Sequence, residues 1–134
     1  MKKGYGYELE LVHMLWKRGF AAVRTPASGS ISHPSPDIIA GNGRRYIAIE
    51  VKMRSNLPVY VSKEDVEGLL KFSEIFGAEP ILAVRIARVG WRFLKVEMLK
   101  RTKNGYKVDE EVFNSGLEFD ELLDLYRQMR LPDR

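Results

Sequence analysis

The sequence contains no cysteine and only two histidines, His13 and His33. The first absence removes a disulfide framework, a thiolate zinc site and a cysteine nucleophile together. The second leaves too few imidazoles, too far apart in the chain, for a histidine-based metal centre. Any metal would have to rest on carboxylate oxygens, a donor set that suits magnesium or manganese better than zinc. Long apolar runs are missing as well. Glu8, Glu10, Lys17 and Arg18 interrupt the first thirty residues, so no leader segment is read there. Nothing approaches the roughly 20 apolar residues a membrane span requires. The expectation is a soluble, cytoplasmic protein with no membrane partner.

Internal repeats and low-complexity tracts are also lacking. The 134 residues suit one domain, 1–134, and 45% hydrophobic content is enough for a packed core. Lys and Arg number 22 against 18 Asp and Glu, a net charge of +4. A mild positive excess is compatible with a polyanionic partner and does not require one.

Periodicity predicts a helix over residues 5–18, with Glu8, Leu11, Val12, Leu15 and Gly19 on one stripe and Glu10 and Lys17 on the solvated side. A short β run covers Phe20 to Arg24. The stretch 25–36, rich in Ser, Pro and Gly, reads as a loop long enough to suggest a function. Asp37 opens an apolar run that turns at Gly41-Asn42-Gly43 into a strand from Arg44 to Lys52, the pattern of a β-hairpin. Ser62, with Asp65 at the capping-box position, starts a second helix that ends at Gly77. Two strands follow, ILAVRIA and WRFLKVEM, with a turn at Gly90 between them. An exposed turn around Asn104-Gly105 comes next. A closing amphipathic helix, about 118–130, runs through Leu122, Leu123, Tyr126 and Met129. The order αβββαββα gives a mixed α/β domain.

Chemistry concentrates around the hairpin. Side chains alternate along a strand, so Tyr46, Ala48, Glu50 and Lys52 share one side. Glu50 and Lys52 could be a surface ion pair where the strand emerges into water. The hairpin, however, also carries Asp37 to the same end of the sheet. Two carboxylates side by side repel unless a proton or a divalent cation separates them. Glu8 adds a third acid, sitting within the apolar stripe of the first helix. It could equally be a first-turn acid favoured by the helix dipole.

These residues spell Pro36-Asp37, then Glu50-Val51-Lys52, a pattern that resembles the signature of restriction-endonuclease-like nucleases. KGYGYELELV, RTPASGS, PDIIAGNG, IEVK and GLLKFSEIFGAEPILAV are similar to archaeal Holliday-junction resolvases, over roughly residues 2 to 98. The resemblance implies a central mixed sheet flanked by helices and a magnesium-dependent endonuclease, manganese being able to substitute. Its substrate would be a four-way DNA junction, cut in recombination and repair by a nucleoid-associated homodimer; other protein partners stay unknown. The resemblance also places Glu8, Asp37 and Glu50 at acidic metal-site positions, with Val51 lending its carbonyl and Lys52 as the catalytic lysine. Ser28 takes the position of a loop serine implicated in catalysis. Ser30, the other serine beside Gly29, is grouped with the DNA contacts.

Lys2, Lys3, Arg24, Arg54 and Lys63 adjoin the acids or the loop and are candidate phosphate contacts. On the second helix, Gly68, Phe72 and Phe76 recur every four residues beside the Val66-Leu69-Leu70-Ser73 face. They form either a wide core stripe or a homodimer seam that Gly68 opens to close approach. Two competing readings remain: a restriction or repair endonuclease of the same fold acting on other DNA, or a non-catalytic DNA-binding relative. The length leaves little room for base-reading additions. Acids facing phosphates bring nothing to a surface that only binds.

Overall fold

The computed structural model of this chain describes residues 4–26 and 33–130. Helix α1 (Gly4–Lys17) buries Leu11, Val12 and Leu15, the stripe its periodicity predicts. It leads into β1 (Ala21–Arg24), β2 (Ile38–Gly41) and β3 (Tyr46–Arg54). The β2–β3 hairpin forms because Asn42 Oδ1 accepts from the amides of Arg44 and Arg45, at 2.9 and 2.7 Å, while Gly43 takes φ 90°. Strand β4 (Val59–Ser62) runs into α2 (Lys63–Phe76), then β5 (Glu79–Ile86) and β6 (Gly90–Leu94).

Strands β1-β2-β3-β5-β6 make one mixed sheet, in which only β3 and β5 are parallel. Helix α2 supplies the crossover between them. Alternate residues feed two cores. Ile47, Ile49, Ile81 and Ala83 pack with Leu11 and Leu15 of α1, and with Leu122 and Leu123 of α4 (Phe119–Arg130). Leu82, Val84 and Leu94 pack on the other face with Val59, Val61, Val66 and Phe113. Burial on both faces is what an apolar central strand such as β5 requires. Truncating one of the fully buried isoleucines to alanine costs about 2–5 kcal/mol.

The C-terminal third departs from its sequence reading. The WRFLKVEM strand stops at Leu94, and Val96–Met98 form a 3-10 turn. Residues 100–109 are a hairpin rather than a bare turn. Strands β7 (Lys100–Arg101) and β8 (Gly105–Val108) pair, and β8 also pairs with β4, giving a second sheet ordered β4-β8-β7. A short helix, α3 (Glu110–Ser115), is capped by Asp109, whose side chain accepts from the Val112 amide. Gly105 is required at the seam of this sheet, because a Cβ there would lie 2.6 Å from the Val61 carbonyl oxygen. Leu70 is 39% exposed, so the buried face of α2 is Val66, Leu69 and Ser73. Glu10 is half-buried rather than fully solvated, and it accepts from Trp91 Nε1 at 3.1 Å.

Candidate active site

Glu50 and Lys52 project from β3 toward the α2 side of the sheet. Strand β2 pairs antiparallel with β3, Ile38 opposite Ile49, which brings Asp37 alongside Glu50. The strand then grips Asp37 twice. Its amide donates to the Ile49 carbonyl at 2.9 Å, and its Oδ2 accepts from the Val51 amide at 2.8 Å. Lys52 is held in turn: Nζ lies 2.7 Å from Asp65 Oδ2 and 3.6 Å from Glu50 Oε2. Asp65 reaches it because α2 begins one turn earlier, where Ser62 Oγ accepts from the Asp65 amide at 3.0 Å.

The electrostatics follow from that crowding. Burial raises the Glu50 carboxyl to about 8, and neighbouring Asp37 adds to the rise against a smaller opposing pull from Lys52. Burial also raises Asp37, opposed by its bond from Val51 and reinforced by Glu8. For Lys52, burial pulls downward, but the hydrogen bond and charge of Asp65, with help from Glu50 and Asp37, leave the net shift upward. The lysine therefore keeps its charge while the two acids resist ionising together.

Glu8 approaches from α1. Arg24 Nε donates to Glu8 Oε1 at 2.9 Å, so this acid is paired with a cation. Glu8, Arg24, Thr25, Pro26, His33, Ser35 and Asp37 line a depression of about 280 Å³. Its neck is tied where the Thr25 amide donates to the Asp37 carbonyl at 2.9 Å and the Thr25 hydroxyl donates to the Pro36 carbonyl.

Among the described residues, no group of three or more His, Cys, Asp or Glu side chains is arranged to hold a metal ion by itself. Two crowded carboxylates are present instead, the Glu50 side chain only 16% exposed. Hard oxygen donors with mutually raised affinities for protons fit a divalent cation that relieves their repulsion and takes its remaining ligands from outside the protein.

Glu8, Asp37, Glu50, Val51, Lys52 and Arg24 thus come together around one end of the sheet. Arg54 stands exposed at the end of β3, its Nη1 donating to the Met53 carbonyl at 2.7 Å. Lys63 stands exposed at the start of α2, 3.9 Å from Glu67. Lys2, Lys3, Ser28 and Ser30 lie outside the described residues. The space beside Gly68 is taken by the same chain: a Cβ there would sit 3.2 Å from Pro34 Cβ. Phe72 and Phe76 stack, ring centroids 5.2 Å apart, with Phe76 52% exposed. Sequence reasoning missed Asp65 as a partner of the lysine, since its capping position explained it already. It also missed the Arg24–Glu8 pair, which joins residues from different elements.

The sequence model of the family described as "Archaeal holliday junction resolvase (hjc)" matches residues 1–131. This chain belongs to the archaeal Holliday junction resolvase family. A relative from Archaeoglobus fulgidus named "Crossover junction endodeoxyribonuclease Hjc" is 48% identical over 132 residues, covering 98% of this chain and 97% of the relative. The protein of the same name from Methanocaldococcus jannaschii is 33% identical over 132 residues, covering 98% and 95%. The 1.6 Å structure of the A. fulgidus protein, described as "a Holliday junction resolvase from an archaeal hyperthermophile", superposes with a TM-score of 0.85 at 50% identity. It covers 89% of this chain and 98% of that one. The resolvase match thus extends through the second sheet and α4.

Proposed function

We propose that this chain is a structure-selective endonuclease that resolves four-way DNA junctions by paired, magnesium-dependent phosphodiester hydrolysis, acting as a homodimer. The observation that carries this reading is the convergence of Asp37, Glu50 and Lys52 in a chain that the resolvase family matches along nearly its whole length. Hydrolysis forms one bond, from a water oxygen to phosphorus, and breaks another, from phosphorus to the 3′ oxygen, which leaves with a proton.

Asp37 and Glu50, with the Val51 main-chain carbonyl, would hold the cation. The metal's contribution would be to polarise the phosphate, acidify water and offset charge on the departing oxygen. Lys52 remains an ammonium because Asp65 holds it, and so presents N–H donors to phosphate oxygens as negative charge builds on them. Asp65 also limits the swing of the flexible lysine stem. Arg24, anchored by Glu8, contributes a positive guanidinium at the lip of the depression, where a phosphate is bound without reference to base sequence. A C2 dimer would offer two such sites to a nearly two-fold substrate.

The test is incubation of the purified protein with labelled four-way junction and with matched duplex, with and without magnesium. Cleavage restricted to the junction and abolished by EDTA is expected. Asp37→Asn and Glu50→Gln should abolish cutting, and Lys52→Ala should slow it about 10²–10³-fold, the cost of losing one preorganised donor to a developing anion. All three should still bind the junction. Efficient cutting in excess EDTA, or a folded Asp37→Asn protein that cuts at the wild-type rate, refutes the proposal.

A further inference from the structure

Four cations and no acid occupy residues Lys100 to Lys107, a local excess as large as the net charge of the whole chain. The hairpin they form is built into the second sheet. Tyr60, Lys107 and Lys100 lie in register across β4, β8 and β7. Val59, Val61 and Val108 of the same sheet are in the core, so this row lies on the opposite, outer face, where Tyr60 is 60% exposed. Lys100 is committed to Asp109 and Glu111, at 2.6 and 2.9 Å. Lys107 feels Asp109 electrostatically; among the described residues Lys107, Arg101 and Lys103 make no ion pair. The Arg101 guanidinium sits 5.0 Å from the Tyr106 ring centroid. Between β4 and the hairpin tip is an open depression of about 460 Å³, lined by Tyr60, Ser62, Thr102, Lys103, Asn104 and Tyr106. Its lining is mainly apolar, and Ser62, Thr102, Asn104 and Lys103 supply hydroxyl, amide and ammonium groups to it.

Position gives the surface its meaning. Ser62, on the edge of the depression, is the N-cap of α2, and Asp65, three residues on, holds the catalytic lysine. Three residues of helix rise about 5 Å, so the depression begins on the order of 10 Å from Lys52. That span is about three nucleotide steps at 3.4 Å each. The close approach of Gly105 to Val61 pins the hairpin against this corner.

From this arrangement we infer that the outer face of the second sheet binds the sugar–phosphate backbone of a duplex arm beside the cleaved bond, with Lys103 and Lys107 as its phosphate contacts. The inference rests on the junction substrate proposed above. Unpaired cations on an exposed, ring-bearing surface complement a polyanion, and continuity with the catalytic lysine selects the DNA already held there over an acidic protein.

The experiment compares wild type with Lys103→Gln/Lys107→Gln on a four-way junction, measuring Kd across a salt series and single-turnover cleavage at saturating protein. Two lost phosphate contacts should lower the slope of log K against log salt by about 1.8, and weaken binding roughly tenfold at low salt. The cleavage rate at saturation should not change. Asn104→Glu, which places an anion at the exposed hairpin tip without removing a contact, should weaken binding also, and circular dichroism verifies that both variants fold. Unaltered affinity and salt slope in both variants overturn the inference, including the case in which the patch serves an acidic protein instead. If wild type neither binds nor cuts junctions, the functional reading itself has failed; if wild type cuts normally while the variants match it, only this surface assignment has.

Discussion

Glu50 concentrates the site's electrostatic tension. Its folded pKa of about 8 lies above the ordinary 4.5. A carboxyl raised on folding binds its proton more tightly in the native state, so its stabilising effect is complete below pH 4.5 and is lost as pH climbs through 8. Asp37, also raised, adds in the same sense. With metal chelated, stability should therefore fall between about pH 4.5 and 8, by up to roughly 1.4 kcal/mol per unit of effective shift for each such group. Glu50→Gln, which cannot ionise, should flatten that decline and melt higher than wild type at pH 8 in EDTA. Magnesium should reverse the order, since the cation stabilises only the carboxylate. Thermal melts across pH with and without chelator check both; a metal-free wild type whose stability rises over that window contradicts the assignment.

At the scale of single elements, α2 carries the site's alignment on its first turn. Ser62→Ala removes the cap on the Asp65 amide and should cost about 1 kcal/mol of stability. It should also slow cleavage, because Asp65 loses the anchor that aims it at Lys52. Denaturant titration and single-turnover rates measure the two effects separately. A loss of stability with an unchanged rate would make the cap purely structural. The Ser62-to-Gly77 boundaries of this helix were legible in the sequence because cap chemistry is local. The β2–β3 hairpin was legible for a similar reason: Asn42 and Gly43 encode the turn, and the turn fixes which residues face each other. The second sheet was not. Strand β4 has four residues and no long alternation, while Lys100, Arg101 and Lys103 give β7 and its tip the composition of a solvated loop. The β4–β8 pairing that joins the hairpin to the rest of the fold brings together residues more than forty positions apart in the chain. Asp65 stayed hidden because one residue serves two ends, with its amide fixing the helix and its carboxylate holding the lysine.

The proposed assembly is a property of the whole molecule. No helix among the described residues is long and apolar enough to cross a membrane. Phe72 and Phe76 stack on α2 beside Ile75, which is 78% exposed. Ridges of this kind are favoured interface anchors. Because Pro34 fills the space at Gly68, the contact expected with a second copy runs through Phe72, Ile75 and Phe76. Phe72→Ala/Phe76→Ala should shift sedimentation toward the monomer and let singly nicked products accumulate on a supercoiled cruciform. Wild type that stays monomeric while making paired cuts would remove the dimer from the mechanism.

One helix holds both ends of this scheme. Asp65 grips the lysine on the first turn of α2 and Phe76 closes its last, eleven residue steps apart, about 17 Å of helix. Two such helices meeting at a two-fold axis would couple the two sites mechanically, so that the seating of a DNA arm at one Lys52 shifts the Asp65 carboxylate that holds the other.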